Sequence, residues 1–230
     1  MTAALAIFVK TPGLSPIKTR LAAGIGAAAA QRFHQLAGAA TAEVARACEP
    51  WLTSYWAIAE AGPAAVAAWP GFASLHQGQG DLGERLHTVY ARLQARHGCA
   101  LLIGADAPQL TVASLQRALS MLDDPRIPFV IGDASDGGFW LFGGRAAIPR
   151  GVWTRVHYSQ AQTASALRQQ LAPHGAVGAV GRLTDVDKVE DLATLRCALE
   201  TLDTPQPAQL RLLAWLESRR VQPEATCSHE

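Results

Sequence analysis

The sequence predicts an α/β fold of three layers, α/β/α, with helices on both faces of a mostly parallel central sheet. Short apolar runs of strand length alternate along the chain with longer segments whose apolar residues recur at helical spacing. Hydrophobic residues make up 49% of the 230 residues and charged residues 17%, which is typical of a globular protein with a sizeable core. No polar linker divides the chain, so we expect a single domain over residues 1–220, followed by a flexible tail at 221–230.

Five apolar runs have the length and composition of buried strands. They cover residues 5–9, 54–59, 100–103, 129–131 and 139–142. An Asp-Gly-Gly step at residues 136–138 separates the last two runs and predicts a hairpin turn between them.

Helical periodicity fills most of the intervening sequence. The first predicted helix is alanine-rich and covers residues 27–48, and the last covers about 207–219. Between them, residues 81 and 84 have the spacing of a capping box, and so do residues 187 and 190. Thr111 can cap a further helix whose apolar face contains Leu115, Leu119 and Leu122.

Charge and cysteine content narrow the class of protein. The net charge of +1 gives no general attraction to nucleic acid or to anionic lipid, so any anion site must be local. The four cysteines are scattered without a CxxC pair, which is typical of reduced thiols in a cytoplasmic protein. No apolar run reaches the ~18 residues of a membrane span, and no signal peptide opens the chain. We therefore expect a cytoplasmic protein without a nucleic-acid partner or a membrane span. The sequence leaves open whether the protein forms a homodimer.

Two of the three lysines lie just after the first predicted strand, in the segment ALAIFVKTPGLSPIKTRLAAG. Ligands of open parallel sheets bind at the carboxyl ends of the strands, where this segment begins. Lys18 and Arg20 also lie where a helix can start. A cation at a helix N-terminus interacts unfavourably with the helix dipole, which costs ~0.3–1 kcal/mol for each cation. A bound phosphate would offset that cost, so the segment is a candidate phosphate site. The alternative interpretation is a basic turn that only contacts solvent. Ile17 replaces the second glycine of a Walker loop, so this is not a P-loop.

Acidic residues follow later strands of the predicted sheet. Asp106 comes directly after a buried strand in GADAP, and Mg²⁺ is commonly bound by one or two carboxylates together with substrate phosphates. A turn or cap residue is the alternative for Asp106. A second metal carboxylate could be Asp185 or Asp187, although helix capping is the stronger interpretation of Asp187. Glycines beside Asp136 would let a ligand lie against the backbone.

Five segments, in this order, resemble a bacterial family of transferases with the GT-A-like, nucleotide-diphospho-sugar transferase fold, a family commonly labelled glycosyltransferase. The segments are FVKTPGLSPIKTRLA, QGQGDLGERL, GADAPQLT, DGGFWLFG and DVDKVEDL. The resemblance spans about residues 4–200 and extends distantly to the guanylyltransferases of molybdenum-cofactor and 2-phospho-lactate metabolism.

The resemblance implies roles for particular residues. Those implied to contact the nucleotide are Lys10, Thr11, Lys18, Thr19, Arg20, Gly83, Glu84 and Arg85. Those implied to contact the acceptor are Asp136, Gly137, Gly138, Tyr158 and Ser159. Catalysis would rest on Lys18, Arg20 and Asp106, and a Mg²⁺ or Mn²⁺ ion on Asp106 with Asp185.

The function predicted on these grounds is a metal-dependent transferase that uses a nucleotide or nucleotide-sugar and a small-molecule acceptor. Glycosyl transfer is slightly favoured, on the family label alone. One alternative is nucleotidyl transfer from a nucleoside triphosphate to a phosphorylated small acceptor, and another is a nucleotide-binding module without catalysis. The chain has no GxSxG elbow and no GxGxxG after its first strand, which disfavours a hydrolase or a reductase.

Overall fold

The computed structural model describes residues 2–219, and its core is a seven-stranded sheet with helices on both faces. The strands are β1 Ala3–Val9, β2 Leu52–Ile58, β3 Ala73–His76, β4 Ala100–Gly104, β5 Phe129–Asp133, β6 Phe139–Gly144 and β7 Val177–Ala179. The helices are α1 Thr19–Ile25, α2 Ala27–Ala47, α3 Pro63–Ala68, α4 Leu82–His97, α5 Val112–Asp123, α6 Arg150–Thr154, α7 Thr163–Leu171, α8 Asp191–Glu200 and α9 Pro207–Ser218, with a 3₁₀ turn at Ala172–His174. The predicted α/β class is confirmed.

The strand order β3-β2-β1-β4-β6-β5-β7 places β1 and β4 side by side at the centre of the sheet. These two strands are parallel, with Phe8 opposite Gly104, so their carboxyl ends leave the sheet together. Only β6 runs antiparallel to its neighbours, and it forms the predicted hairpin with β5. The sheet is therefore mostly parallel, as predicted, and the loops after β1 and β4 meet at one edge.

Alternation along β1 divides the core into two layers. Leu5 and Ile7 pack in a cluster with α2 and α5, whereas Ala4 and Ala6 pack in a second cluster with α4 and α6. Both faces of the central strand are buried, which is why its sequence is an uninterrupted apolar run.

A third cluster joins α1 and α2 to the two last helices. Leu21 of α1 is fully buried among Phe33, Leu195 and Leu212. The short helix that follows the lysine-rich segment is therefore anchored to the body of the protein by its single buried leucine, and this anchor fixes the position of the residues just before it.

The helix caps predicted from the sequence are present in the structure, with one exception. Thr111 and Ser114 form a reciprocal capping box, each side chain accepting from the other's backbone N–H at 3.1 Å. Asp81 caps α4 by accepting from the backbone N–H of Glu84 at 2.9 Å. The predicted cap at Asp187 is wrong, because α8 begins at Asp191, whose carboxylate accepts from the N–H of Asp187.

The remaining predictions differ in their outcome. All five predicted strands are present, whereas β3 and β7, with four and three residues, were missed. Within residues 2–219 no helix combines the length and the apolarity that crossing a bilayer would need. The predicted tail, 221–230, lies outside the described residues, and the single domain stays a prediction.

Candidate functional site

A cleft lies at the carboxyl edge of the sheet, where the loops after β1 and β4 meet. It has two parts, which share residues such as Phe8, Asp106, Asp136 and Asp185. The charged half, of about 710 Å³, is also lined by Lys10, Lys18, Thr19, Arg20, Arg85 and Asp187. The apolar half, of about 230 Å³, is also lined by Leu86, Leu102, Phe139, Trp140, Tyr158 and Gln160. A cleft of this size at a sheet's carboxyl edge is a typical ligand site.

Lys18 joins the first loop to the loop after β4. Its Nζ lies 2.9 Å from Oδ2 of Asp106 and also donates to the carbonyl oxygen of Val186. The side chain is only 8% exposed, whereas that of Asp106 is 38% exposed. Burial alone would lower the pKa of Lys18, but the charges of Asp106 and Asp185 raise it by more. The amine is therefore a buried cation, fixed at the centre of the cleft.

Backbone geometry holds Lys18 in this position. Lys18 is the residue before α1 and has a left-handed conformation, with φ 47° and ψ 44°, which is uncommon for a residue with a side chain. It directs the amine inward while α1 continues toward its buried anchor at Leu21.

Asp185 faces the same cleft from the far end of the chain. The backbone N–H of Val186 donates to the carbonyl oxygen of Asp106 at 3.1 Å, which keeps Asp185 next to the loop after β4. Burial and the negative charge of Asp106 raise the pKa of Asp185 to about 7, while Lys18 opposes the shift. Burial and the neighbouring carboxylate both disfavour the charged form of Asp185, and a bound cation would favour it.

The donor set fits a divalent cation that shares its ligands with a substrate. Among residues 2–219, no three histidine, cysteine, aspartate or glutamate side chains are grouped to hold a metal by themselves. Mg²⁺ and Mn²⁺ prefer oxygen ligands, and Mg²⁺ is commonly bound by one or two carboxylates, substrate phosphates and water. Asp106 and Asp185, which both line the cleft, are the residues that could supply that pair of carboxylates.

The other cations of the charged half are more exposed. Arg20 pairs with Asp187 at 2.6 Å, and the Arg20 side chain is 65% exposed. Arg85 reaches the cleft from α4 and donates from Nε to the carbonyl oxygen of Gly80 at 3.0 Å. Exposed ion pairs contribute little to stability, so Arg20 can exchange its partner for a bound anion at little cost.

Three residues implied to contact the nucleotide do not line either part of the cleft. Thr11 is 2% exposed, and its backbone N–H donates to Glu60. Gly83 lies against the backbone of Trp153, where a Cβ would come within 2.7 Å of the carbonyl oxygen. Glu84 pairs with Arg150. In the structure each of these three residues packs or pairs within the protein, and its contact with a nucleotide stays a prediction.

Four of the five residues implied to contact the acceptor line the apolar half: Asp136, Gly138, Tyr158 and Ser159. Asp136 accepts from the N–H of Gly138 at 2.9 Å, which shapes the hairpin turn. The Tyr158 side chain lines the cleft, and its hydroxyl donates to the carbonyl oxygen of Trp153 at 3.1 Å. Ser159 also lines the cleft and has a positive φ of 59°.

Gly137 serves the packing of this loop instead of lining the cleft. Its φ is 88°, and a Cβ would lie 1.9 Å from the carbonyl oxygen of Ala161. The carbonyl oxygen of Gly137 also accepts from the N–H of Ala164 at 3.0 Å. The glycine is therefore needed where the hairpin meets the start of α7, and its contact with the acceptor stays a prediction.

Replacing Gly137 with alanine is expected to destabilise the protein more than the same change at Gly13. Both glycines have φ above 80°, so each change carries about 1–2 kcal/mol of backbone strain. Nothing lies within 4 Å of a Cβ at Gly13, whereas the clash at Gly137 adds a further ~1–3 kcal/mol. Denaturant unfolding would measure both losses, and equal values would contradict the close packing seen here.

Two residues of the charged half were not predicted from the sequence. Gln77 is 4% exposed and donates from Nε2 to the carbonyl oxygens of Val9 and Ala57. His34 donates from Nε2 to the carbonyl oxygen of Lys10 at 2.9 Å. Both hold the end of β1 where the loop begins. Neither belongs to a charged cluster or a recognisable spacing in the sequence, so no signal marked them.

Comparison with known families gives one match. The sequence model of a family described as "Uncharacterized protein conserved in bacteria (DUF2064)" matches residues 31–160, more than half of the chain. No curated protein matches the chain.

Comparison with solved structures shows the fold. A protein assigned as a nucleotide-diphospho-sugar transferase from Desulfovibrio desulfuricans G20 is 23% identical, with a TM-score of 0.82, over 95% of this chain and 98% of its own. The Rv0371c protein of Mycobacterium tuberculosis H37Rv, solved with manganese, is 19% identical, with a TM-score of 0.53, over 87% of this chain and 100% of its own. A 4-diphosphocytidyl-2C-methyl-D-erythritol synthase from Anaerococcus prevotii DSM 20548 is 9% identical, with a TM-score of 0.56, over 86% of this chain and 99% of its own. The predicted nucleotide-diphospho-sugar transferase fold is confirmed.

Proposed function

The chain belongs to the DUF2064 family of bacterial proteins and has the nucleotide-diphospho-sugar transferase fold, and from these premises we propose that it is a divalent-metal-dependent transferase with a nucleotide-diphosphate donor. Glycosyl transfer from a nucleotide-sugar is the reaction that we favour. One observation carries the proposal, the 2.9 Å contact between Lys18 and Asp106. It brings the basic first loop and the strand-end carboxylate into one cleft, where a metal-bound diphosphate would contact both.

The charges of the cleft complement such a donor. Asp106 and Asp185 would hold the divalent ion, and Lys18, Arg20 and Lys10 lie along the same half of the cleft to meet phosphate oxygens. A structural relative, Rv0371c, was solved with manganese, which supports a metal of this class. Mg²⁺ and Mn²⁺ both suit oxygen ligands, so either would serve.

The same groups would stabilise the transition state. In glycosyl transfer an acceptor hydroxyl attacks the sugar carbon, the bond from that carbon to the diphosphate breaks, and negative charge grows on the departing diphosphate. A bound divalent ion supplies Lewis-acid stabilisation of that charge. Lys18 is preorganised for the same purpose, because its amine is charged, buried and fixed by two contacts before any ligand arrives.

Nucleotidyl transfer is the second candidate. Here an acceptor phosphate would attack the α-phosphorus of a nucleoside triphosphate and pyrophosphate would leave. The cationic first loop suits a triphosphate, and one structural relative is a diphosphocytidyl synthase. A nucleotide-binding module without catalysis would bind the same ligands without turnover.

We expect the protein to act in the cytoplasm. The cysteines among residues 2–219, which are Cys48, Cys99 and Cys197, are all unpaired thiols. Such thiols persist in reducing compartments. A homodimer stays a prediction, and a measurement of the molecular mass in solution would test it.

Nucleotides that contain a diphosphate are expected to raise the melting temperature only when Mg²⁺ or Mn²⁺ is present. The screen would contain nucleoside mono-, di- and triphosphates and nucleotide-sugars, each with metal and with EDTA. A ligand at 100 times its Kd adds about 2.7 kcal/mol of apparent stability. Release of nucleoside diphosphate would then indicate glycosyl transfer, and release of pyrophosphate nucleotidyl transfer. Stabilisation equal with metal and with EDTA, or none by any nucleotide, would refute the metal-dependent donor site.

A further inference from the structure

The charges around the apolar half of the cleft are all of one sign. Its lining includes three carboxylates, Asp106, Asp136 and Asp185, and not one lysine, arginine or histidine. Arg168, which approaches the same hairpin, pairs with Asp133 at 3.0 Å, and neither residue lines the cleft. Lys18, which lines only the charged half, pairs with Asp106 at 2.9 Å, so an anion in the apolar half would face the carboxylates of Asp136 and Asp185 without a cation in its own lining.

A metal ion would change this balance only in part. Bound between Asp106 and Asp185, it would neutralise those two carboxylates and would itself be shared with the donor phosphates. Asp136 lies in the exposed hairpin turn and has no cationic partner among the ion pairs of residues 2–219. Lys18 lines only the charged half, where its amine would meet the donor phosphates. The apolar half would therefore stay unfavourable for a second phosphate.

The remaining surface of this half is apolar. Aromatic and aliphatic side chains make up most of it: Phe8, Leu82, Leu86, Leu102, Phe139 and Trp140. Leu82 is 44% exposed at the point where the two halves join, so it is an apolar group that a ligand could cover.

The polar groups that remain are suited to hydroxyl groups. Asp136 uses Oδ1 to accept from Gly138, which leaves Oδ2 to accept from a ligand O–H. The Tyr158 and Thr163 hydroxyls already donate to backbone carbonyl oxygens. Ser159 and Gln160 line the cleft as neutral groups.

From this lining we infer that the acceptor is an uncharged, largely apolar compound that carries a hydroxyl group, and that phosphorylated acceptors are rejected. The inference rests on the proposed function, because it takes the charged half as the donor site. It also separates the two candidate reactions: glycosyl transfer needs only an acceptor hydroxyl, whereas nucleotidyl transfer of the guanylyltransferase kind needs an acceptor phosphate in the half that has no cation.

The test uses two probes that differ only in a phosphate, 3-phenoxypropane-1,2-diol and its 1-phosphate, both of which combine an aromatic group with a free hydroxyl group. Binding of each would be measured by ligand-observed NMR on the whole protein, with Mg²⁺ and the nucleoside diphosphate that gives the largest thermal stabilisation. We expect the uncharged probe to bind about tenfold more tightly than the phosphorylated one, because the carboxylates of the apolar half repel the phosphate. Equal or tighter binding of the phosphorylated probe, or no binding of the uncharged one, would overturn the inference.

A matched pair of variants tests the cause. Gln160 is exposed at the rim, and Gln160→Lys adds one cation, whereas Gln160→Met changes the side chain without adding charge. Binding of the phosphorylated probe is expected to be several-fold tighter in the lysine variant than in the methionine variant, and equal binding by the two variants would refute the charge argument. The nucleotide-binding screen described above tests the proposed function separately, and failure of every nucleotide to bind would refute that function. If nucleotides bind but the phosphorylated probe is preferred, only the inferred acceptor class is refuted.

Discussion

Asp106→Asn is expected to reduce turnover of the preferred nucleotide substrate by at least ~10²–10³, the usual effect of losing one preorganised electrostatic contact. Asparagine keeps the shape of the side chain but removes the charge that pairs with Lys18 at 2.9 Å and that would hold the metal. Because the Asp106 side chain is 38% exposed, the folded state is expected to survive. The variant should also lose the metal-dependent part of the thermal stabilisation by nucleotide.

The control for this change is Asp124→Asn. Asp124 follows the last residue of α5, outside the cleft, and among residues 2–219 its ion pair is with Arg126 at 2.7 Å. The Asp124→Asn variant is expected to have wild-type turnover and the wild-type metal-dependent stabilisation by nucleotide. If Asp106→Asn retained turnover and metal-dependent binding equal to those of Asp124→Asn, the metal assignment would be wrong.

Lys18→Met is expected to reduce kcat/KM by a comparable ~10²–10³. Methionine resembles lysine in length and keeps most of its apolar stem, but it cannot stabilise charge on a departing phosphate. Steady-state kinetics would measure the loss. Lys188→Met is the matched control, because Lys188 is exposed before α8 and does not line the cleft. Equal kinetics of the two variants would contradict a role for the buried amine.

A second measurement separates this electrostatic role from simple misfolding. Without nucleotide, the amine of Lys18 competes with any metal ion for Asp106. Lys18→Met should therefore bind Mn²⁺ more tightly than the wild type, as measured by electron paramagnetic resonance of free Mn²⁺, even though its turnover falls. A misfolded variant would lose both properties together.

Local sequence signals were enough for most of the fold. The run at β1 is apolar throughout because both faces of that strand are buried, and the cap at Thr111 is visible because its partner lies three residues away. The edge strands β3 and β7 were missed, since segments of four and three residues carry too little pattern. The cap predicted at Asp187 failed for a different reason: Asp187 pairs with Arg20, a contact between residues distant in the sequence.

For the site, the residue types and their positions after the strands could be found without coordinates. Asp106 and the basic first loop were predicted because charged residues directly after buried strands collect at one edge of a parallel sheet. Nearness to a motif in the sequence gave no information about which way Thr11, Gly83 and Glu84 face, and the structure shows each of them packed or paired within the protein. Their contact with a nucleotide stays a prediction.

The sequence by itself determined the α/β class, the central strands and the set of charged residues available at the carboxyl edge, because these depend on periodicity and on the residues next to each strand. Only the tertiary structure decided that Lys18 is buried against Asp106, that Asp185 joins them, and that the neighbouring half of the cleft contains no cation. The physical reason is that electrostatic interaction depends on distance and burial, and chain folding brings residues 18, 106 and 185 together from three separate parts of the sequence.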